Sequence, residues 1–493
     1  MNQLPEGWKV APLKELIDYV IGGDWGKDEN YQDEKFTLVN CIRGAEFRYW
    51  TEEKGATASL RRIKISSLKN RQIKEGDILI EISGGGPEQP VGRTVLITKE
   101  VLSNFEYPVV CTNFLRLIRP SKIINSCFLN YYLNYFYFSG DVISYQAGSN
   151  NLRNLKFKEY EKISIPIPPI ETQTAIVSKI ESLFAEIDAG IACLKKARQQ
   201  LAHYRQALLK NAFSGKLTEQ WRASHAHQKS TELLTQIQTA RAQHYQSQLV
   251  DWQAAVEQWE AAGKTGKKPG KPKAPSVVAK YEAGEDLPSG WVRVALSEIS
   301  DIGSGMSVSS NRKLNHPITV NYLRVGNVQR GYLSLSEIKQ MQIESNHLEK
   351  YRLKFGDVLF NEGGDRDKLG RGWIWQNEIE NCITQNHVFR AIPFIKSIYF
   401  SKYISYLGNS QYGKRYFEET GKQTTNLASI NKTVLSNFPI LLPSIEEQTE
   451  IVRLLDSQLT AADQFAAELA AQLKHAEHLK QSVLKAAFAG RLS

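Results

Sequence analysis

IPPIETQTAIVSKI, residues 167–180, and LLPSIEEQTEIVRLL, residues 441–455, set the same signals in the same order: prolines, acidic residues, Gln-Thr, then an Ile-Val pair. Proline before a run of good helix formers, with carboxylates in the first turn where the helix dipole is positive, predicts a helix start at both places. A chain that writes one junction twice invites a search for a longer repeat.

The correspondence extends almost end to end. Downstream, residues 176–218 and 451–493 align without a gap and close on AFSGKLT and AFAGRLS. Upstream, LPEGWKVAPLKEL from Leu4 matches LPSGWVRVALSEI from Leu287. Between these landmarks EGDILIEISGGG answers FGDVLFNEGGD, VGRTVLI answers LGRGWIW, and CTNFLRLIRP answers TQNHVFRAIP, always in the same order. Each copy opens with β-branched and aromatic runs punctuated by glycine-rich turns, the pattern of a compact mixed domain.

Each copy then ends in a long helix. Ile180, Ile187, Leu194, Leu201 and Leu208 recur every seven residues, with Leu183, Ala197 and Tyr204 on the adjoining seam. In the second copy Leu455, Leu459, Leu469, Leu473, Leu479 and Val483 keep one apolar face, and Ala462 and Ala476 permit close approach. A helix of roughly 40 residues spans about 60 Å and needs a partner along its length. The predicted organisation is α+β: an internal duplication of two mixed α/β domains, each followed by a long helix. The expected boundaries are 1–165, first domain; 166–218, first helix; 219–286, insert; 287–440, second domain; and 441–493, second helix. Within the insert, residues 230–262 read as helix, and GKTGKKPGKPKAP reads as a solvated, mobile linker.

Composition bounds the function. A chain of 493 residues with 42% hydrophobic residues can bury more than one core. The start, MNQLPEGWKV, lacks the apolar segment of a signal peptide, and no uninterrupted apolar stretch of about 18 residues follows, so a cytoplasmic protein without a membrane span is expected. Five cysteines without CxxC spacing argue against a zinc ribbon or a disulfide framework. A formal charge of +10 favours a polyanionic partner.

Paired GD-[IV]-L segments, LPxGW starts, proline-initiated ExQT helices and AF[SA]G[KR]L ends together resemble the specificity subunits of type I restriction-modification enzymes. The resemblance implies two target recognition domains, each reading one half of a split double-stranded DNA target and separated by two long antiparallel helices. It also implies a chain that binds no cofactor itself and docks two methyltransferase subunits, with restriction/translocase subunits in the full complex. S-adenosylmethionine is then expected on the methyltransferase partner, and ATP and magnesium on the restriction partner.

Candidate DNA contacts follow from residue chemistry. SGGGPEQPVGR and NEGGDRDKLGR carry Arg93, Arg366 and Arg371 among glycines that allow close backbone approach. GSNNLRNL supplies Asn150, Asn151 and Arg153; GKQTTNLASI supplies Lys422, Gln423, Thr424 and Asn426, with amides suited to adenine edges. Trp25 and Lys27 in GGDWGKDENYQ are weaker candidates, because neighbouring carboxylates oppose phosphate. The plainer account of all of these is polar turns.

The alternative is a self-contained DNA nuclease or methyltransferase with an unrecognised site; a helical scaffold with incidental charge is a third. AAGKT at Ala261 has Gln258 where a phosphate-binding loop needs its first glycine. Asp77 and Glu81 have the spacing of nuclease acids, but Ser83 stands at the lysine position and Asn361 replaces the acid in the second copy. No N-P-P-[YF] signature occurs, and the nine histidines, His203 and His478 on the long helices among them, form no metal or triad pattern. No catalytic or metal-ligating residues are assigned.

Overall fold

The computed structural model describes residues 5–86, 89–148, 152–225, 230–275, 287–308, 314–364, 368–423 and 428–492, with the Gln423 side chain excepted. The chain falls into two compact units, residues 1–197 with 468–493, and residues 198–467. Each unit therefore combines one mixed domain with parts of both long helices.

In the first unit a four-stranded antiparallel sheet runs in the order Ile17–Gly22, Leu115–Pro120, Ile78–Glu81, Thr94–Leu96. A three-stranded sheet holds Ser59–Lys64, Phe36–Ile42 and Val109–Cys111, the last two parallel. Lys9–Pro12 pairs with Ser164–Ile167, which ties the start of the domain to its end. Helix Ser126–Phe138 supplies Phe128, Leu129 and Leu133 to the core, all fully buried.

The second unit repeats this topology. Its four-stranded sheet runs Ser300–Ser304, Val388–Pro393, Val358–Asn361, Gly372–Ile374. Lys339–Glu344, Pro317–Leu323 and Cys382–Thr384 form the three-stranded sheet, again with one parallel pair, and Val292–Ala295 pairs with Pro439–Leu442. The apolar runs ILI and VLF are buried at every position, on both faces, which places their strands in the interior of each four-stranded sheet.

The two long helices are Ile170–Phe213 and Ile445–Phe488, each of 44 residues. Their starts explain the repeated junction. Gln173 is buried and its amide donates to the Pro168 carbonyl at 2.9 Å; Gln448 does the same to Pro443 at 2.9 Å. The helical ladder begins at the next carbonyl, that of Pro169 or Ser444, so the proline carbonyl lies outside it and the glutamine side chain satisfies it.

Within each unit the helix segments run antiparallel. In the first, Ile176, Val177 and Ile180 share a core with Leu484, Ala487 and Phe488, and Asp188 meets Lys480 at 2.6 Å. In the second, Leu208 and Ala212 share a core with Ile451, Val452 and Leu455, and Arg205 meets Asp463 at 2.6 Å. Ile187, Leu194, Leu201, Leu473 and Val483 are half-buried, and Leu469 is buried. Leu479 departs from the expected seam, being 39% exposed. The alternating three- and four-residue step from Leu469 through Leu473 and Ala476 arrives at Lys480, whose stem covers Phe184 with its ammonium 5.3 Å from the ring centroid. Tyr204 is likewise exposed, and the half-buried place beside it goes to Arg205.

The helix ends serve the domain of the opposite copy. Phe488 inserts among Phe128, Tyr132 and Tyr135 at ring distances of 5.3, 5.1 and 5.6 Å, and Phe213 lies 5.5 Å from Tyr403. Burying one such ring contributes about 2 to 3 kcal/mol. The glycine that follows each phenylalanine has positive φ, +76° at Gly215 and +70° at Gly490, and an added Cβ would strike Pro288 or Pro5. Hence AF[SA]G and LP recur as partners: each AF[SA]G end packs on the LPxGW start of the other copy.

The insert departs from expectation. Helix Ser230–Ala261 buries Leu233, Leu234 and Ile237 in the core of the second unit. The lysine-rich stretch read as a solvated linker folds back along that helix. Trp252 Nε1 donates to the Pro269 carbonyl at 3.1 Å and Trp259 Nε1 to that of Gly266 at 3.3 Å, with Lys271 and Lys268 over the two indoles. Two tryptophans seven residues apart on one helix face supply the cation–π surface that holds it.

Candidate nucleic-acid interface

In each unit a small sheet gathers the two candidate loops. Ser83–Gly85 pairs with Arg153–Leu155, which pairs with Gln146–Ala147, so Arg153 stands opposite Gly85. In the second unit Gly363–Gly364 and Lys422–Gln423 both pair with Ala428–Ser429. The glycine strand at one edge of each sheet leaves its backbone open to close approach; Arg153 lies on the central strand beside it, and Lys422 on the strand at the opposite edge. Lys422 is exposed, and so is Lys27, whose backbone bridges to Arg62. Asn150, Asn151, Arg366, Thr424 and Asn426, with the Gln423 side chain, lie outside the described residues.

Arg93 is engaged within its own domain. Its Nε and Nη2 donate to the two carboxylate oxygens of buried Glu81 at 2.9 and 2.6 Å, and Nη2 also reaches the Gly44 carbonyl at 3.0 Å. Hydrogen bonding to Glu81 pushes the guanidinium above its ordinary value although it is half-buried. Arg371 stands at the equivalent place, but there the acid is Asn361, which donates to the Val325 and Val328 carbonyls, and Arg371 reaches the Val325 carbonyl at 3.4 Å. Both arginines tie the segment after the glycine loop to a turn carbonyl, that of Gly44 or Val325. The carboxylate that resembles a nuclease acid is occupied by Arg93.

The aspartate of each GD turn is also structural. Asp77 accepts from Lys74 N at 2.7 Å and from Arg119 at 2.7 and 2.8 Å. Asp357 accepts from Lys354 N at 2.9 Å, and burial pushes its carboxyl up while Arg390, at 3.6 Å, opposes that shift. Among the described residues no group of three or more His, Cys, Asp or Glu is arranged to hold a metal ion.

The first unit holds an open cavity of about 390 Å³ walled by Trp25, Phe114, Gln89 and Asn113, with Arg93 and Glu81 at its floor. Arg61 stacks on Trp25 with its guanidinium 4.2 Å from the ring centroid. Phe114 is 52% exposed on the turn before strand Leu115–Pro120. The position equivalent to Phe114 in the second unit is His387, whose Nδ1 lies 2.6 Å from Glu362 Oε2. Residue reading passed over this pair, because CTNFLRLIRP and TQNHVFRAIP are conspicuous for their shared strand pattern rather than for the one exposed ring in each.

Two domains with one backbone plan and different exposed side chains belong to a known architecture. The model of the type I restriction modification DNA specificity domain matches twice, at residues 5–193 and 288–475. The chain belongs to this specificity family. Each match begins at an LPxGW start and runs into a long helix, so the family's unit coincides with the repeat found here. The EcoKI specificity subunit of Escherichia coli (strain K12) is 24% identical over 100% of this chain and 90% of its own length. The StySPI specificity subunit of Salmonella potsdam is 23% identical over the same shares. Among solved structures, a chain from work on complex assembly and conformational transition of the type I R-M system superposes with a TM-score of 0.59 at 17% identity, covering 100% of both chains. The HsdS subunit from Thermoanaerobacter tengcongensis gives 0.52 at 16% identity, covering 99% and 98%. These likenesses carry the fold. Among the described residues no helix of the specificity chain is long and apolar enough to cross a membrane.

Proposed function

We propose that this chain is the noncatalytic, cytoplasmic recognition subunit of a type I restriction-modification complex, each domain reading one half of an asymmetric bipartite site in double-stranded DNA. The long helices dock two methyltransferase subunits and set the distance between half-sites. S-adenosylmethionine belongs to those partners, and ATP and magnesium belong to the restriction/translocase subunits. The observation that supports this reading most is the pairing of one hydrogen-bonded frame with two different sets of exposed side chains. A target with unlike halves requires that combination, because the frame sets approach to the duplex and the side chains set base choice.

The test is a domain exchange in the chain assembled with its modification partners. Residues 9–167 move together, so that both strands of the Lys9–Pro12 and Ser164–Ile167 pair travel with the domain. Replacement by the matching domain of a relative should change one half of the methylated sequence and leave the other intact. A change in both halves by a folded, assembled chimaera refutes independent reading. Methyl transfer by the pure chain alone refutes the noncatalytic assignment.

A further inference from the structure

The turn that carries Phe114 in the first domain and His387 in the second is held by the same backbone hydrogen bonds. Ile82 N donates to the Phe114 carbonyl at 2.9 Å, and Glu362 N donates to the His387 carbonyl at 2.9 Å. Two residues earlier, Thr112 N donates to Ile42 O and Gln385 N to Leu323 O, both at 2.9 Å. Behind them Asp24 N meets Cys111 O and Met306 N meets Thr384 O, both at 2.8 Å. The carbonyls of Ile82 and Glu362 in turn accept from Leu155 N and Ile430 N, which joins each turn to the small sheet of its domain. An asparagine, Asn113 or Asn386, precedes the variable residue in both copies.

On this shared frame the side chains differ in kind. Phe114 presents an apolar ring beside Trp25 at the mouth of the cavity. His387 is 55% exposed, and Glu362, which replaces apolar Ile82, fixes its ring through Nδ1 and leaves Nε2 facing Asn386 Nδ2 at 3.3 Å. Ser307 takes the place of Trp25, two residues past the frame glycine in each copy, Gly23 and Gly305. One domain therefore offers an apolar surface where the other offers a hydrogen-bonding one, at a point fixed by at least four equivalent backbone bonds. Apolar contact selects the thymine methyl group, whereas an oriented imidazole and amide select a hydrogen-bonding base edge.

We propose that Phe114 and His387 are equivalent specificity-determining residues, Phe114 reading a thymine methyl in one half-site and His387, oriented by Glu362, reading a hydrogen-bonding base edge in the other. This rests on the recognition function proposed above and names where in each domain base choice is made. Glu362 is a positioning residue for His387.

The experiment uses the full chain assembled with its modification partners and a duplex library in which every position of each half-site is varied, with methylation rate read per sequence. Phe114→His should change base preference about tenfold or more at one position of one half-site and leave the other half-site untouched; His387→Phe should do the same in the opposite half. Glu362→Gln should weaken discrimination at the His387 position alone. Phe114→Leu, which keeps an apolar side chain, should preserve the native preference. Unchanged preference at every position, or a uniform loss across all sequences, overturns the proposal. Where a variant no longer supports methylation, equilibrium binding to the same library is read, and the same two outcomes decide. A native complex without a bipartite target refutes the recognition function itself, while a native bipartite target left unaltered by these variants refutes only the assignment of Phe114 and His387.

Discussion

Gln173 closes on the Pro168 carbonyl at 2.9 Å while its side-chain oxygen accepts from Asn125 N at 2.7 Å, so one buried amide joins the start of the long helix to the start of helix Ser126–Phe138. Removing it orphans a carbonyl and an N–H together. Gln173→Ala should lower stability by about 1 to 3 kcal/mol. Denaturant unfolding measures the loss, and amide hydrogen exchange should place it around residues 125–129. Exchange protection equal to the parent chain there would show that the amide is not the link.

The seam is not uniform, and charge placed in it should report where it is load-sharing with a domain core. Leu208 is buried with Tyr403 and Leu455 in one core, whereas Leu201 is half-buried. Leu208→Asp should destabilise the second unit by on the order of 4 kcal/mol, because it buries an unpaired carboxylate. Leu201→Asp should cost about 1 kcal/mol. Comparable losses measured by chemical denaturation would contradict this gradient.

Glu81 and Arg93 form a nearly buried ion pair. Glu81→Ala leaves the guanidinium half-buried without its carboxylate and should cost about 3 kcal/mol, more than Arg93→Ala combined with Glu81→Ala. A double-mutant cycle on unfolding free energies measures the coupling. A coupling near zero would return Arg93 to the set of arginines held ready for DNA.

Thiol chemistry separates the five cysteines. Burial pushes Cys111 and Cys382 up to about 12 and raises Cys41 and Cys127, while Cys193 is exposed on the long helix. The reactive species is the thiolate, so a raised value and loss of access act together. At pH 8 an alkylating reagent should modify Cys193 first and reach Cys41, Cys111 and Cys382 only after denaturation. Intact-mass spectrometry over time reads this directly; equal rates at Cys193 and Cys111 in the folded chain would exclude the burial described.

Much of the architecture was legible in residue order. The duplication, the ExQT helix starts and the glycine that ends each helix are local signals: proline, carboxylate, glutamine and glycine act through the backbone within a few residues of themselves. The repeated order of landmarks then determines that one strand plan is built twice. Leu479 is exposed because its neighbour Lys480 faces the other helix, its stem against Phe184 and its charge on Asp188. Tertiary structure alone decided what Arg93 and Arg371 meet within their own domains. Arg93 and Arg371 follow the same Val/Leu-Gly pattern, yet one meets the Glu81 carboxylate and the other the Val325 carbonyl, because strand pairing rather than sequence neighbourhood brings Glu81 or Asn361 beside them. It also decided that each AF[SA]G end packs on the opposite copy and that the lysine-rich stretch lies on Trp252 and Trp259. Exposure of Phe114 and His387 is of the same kind: a ring on a turn is buried or presented according to what the rest of the chain places above it, and no local residue pattern encodes that.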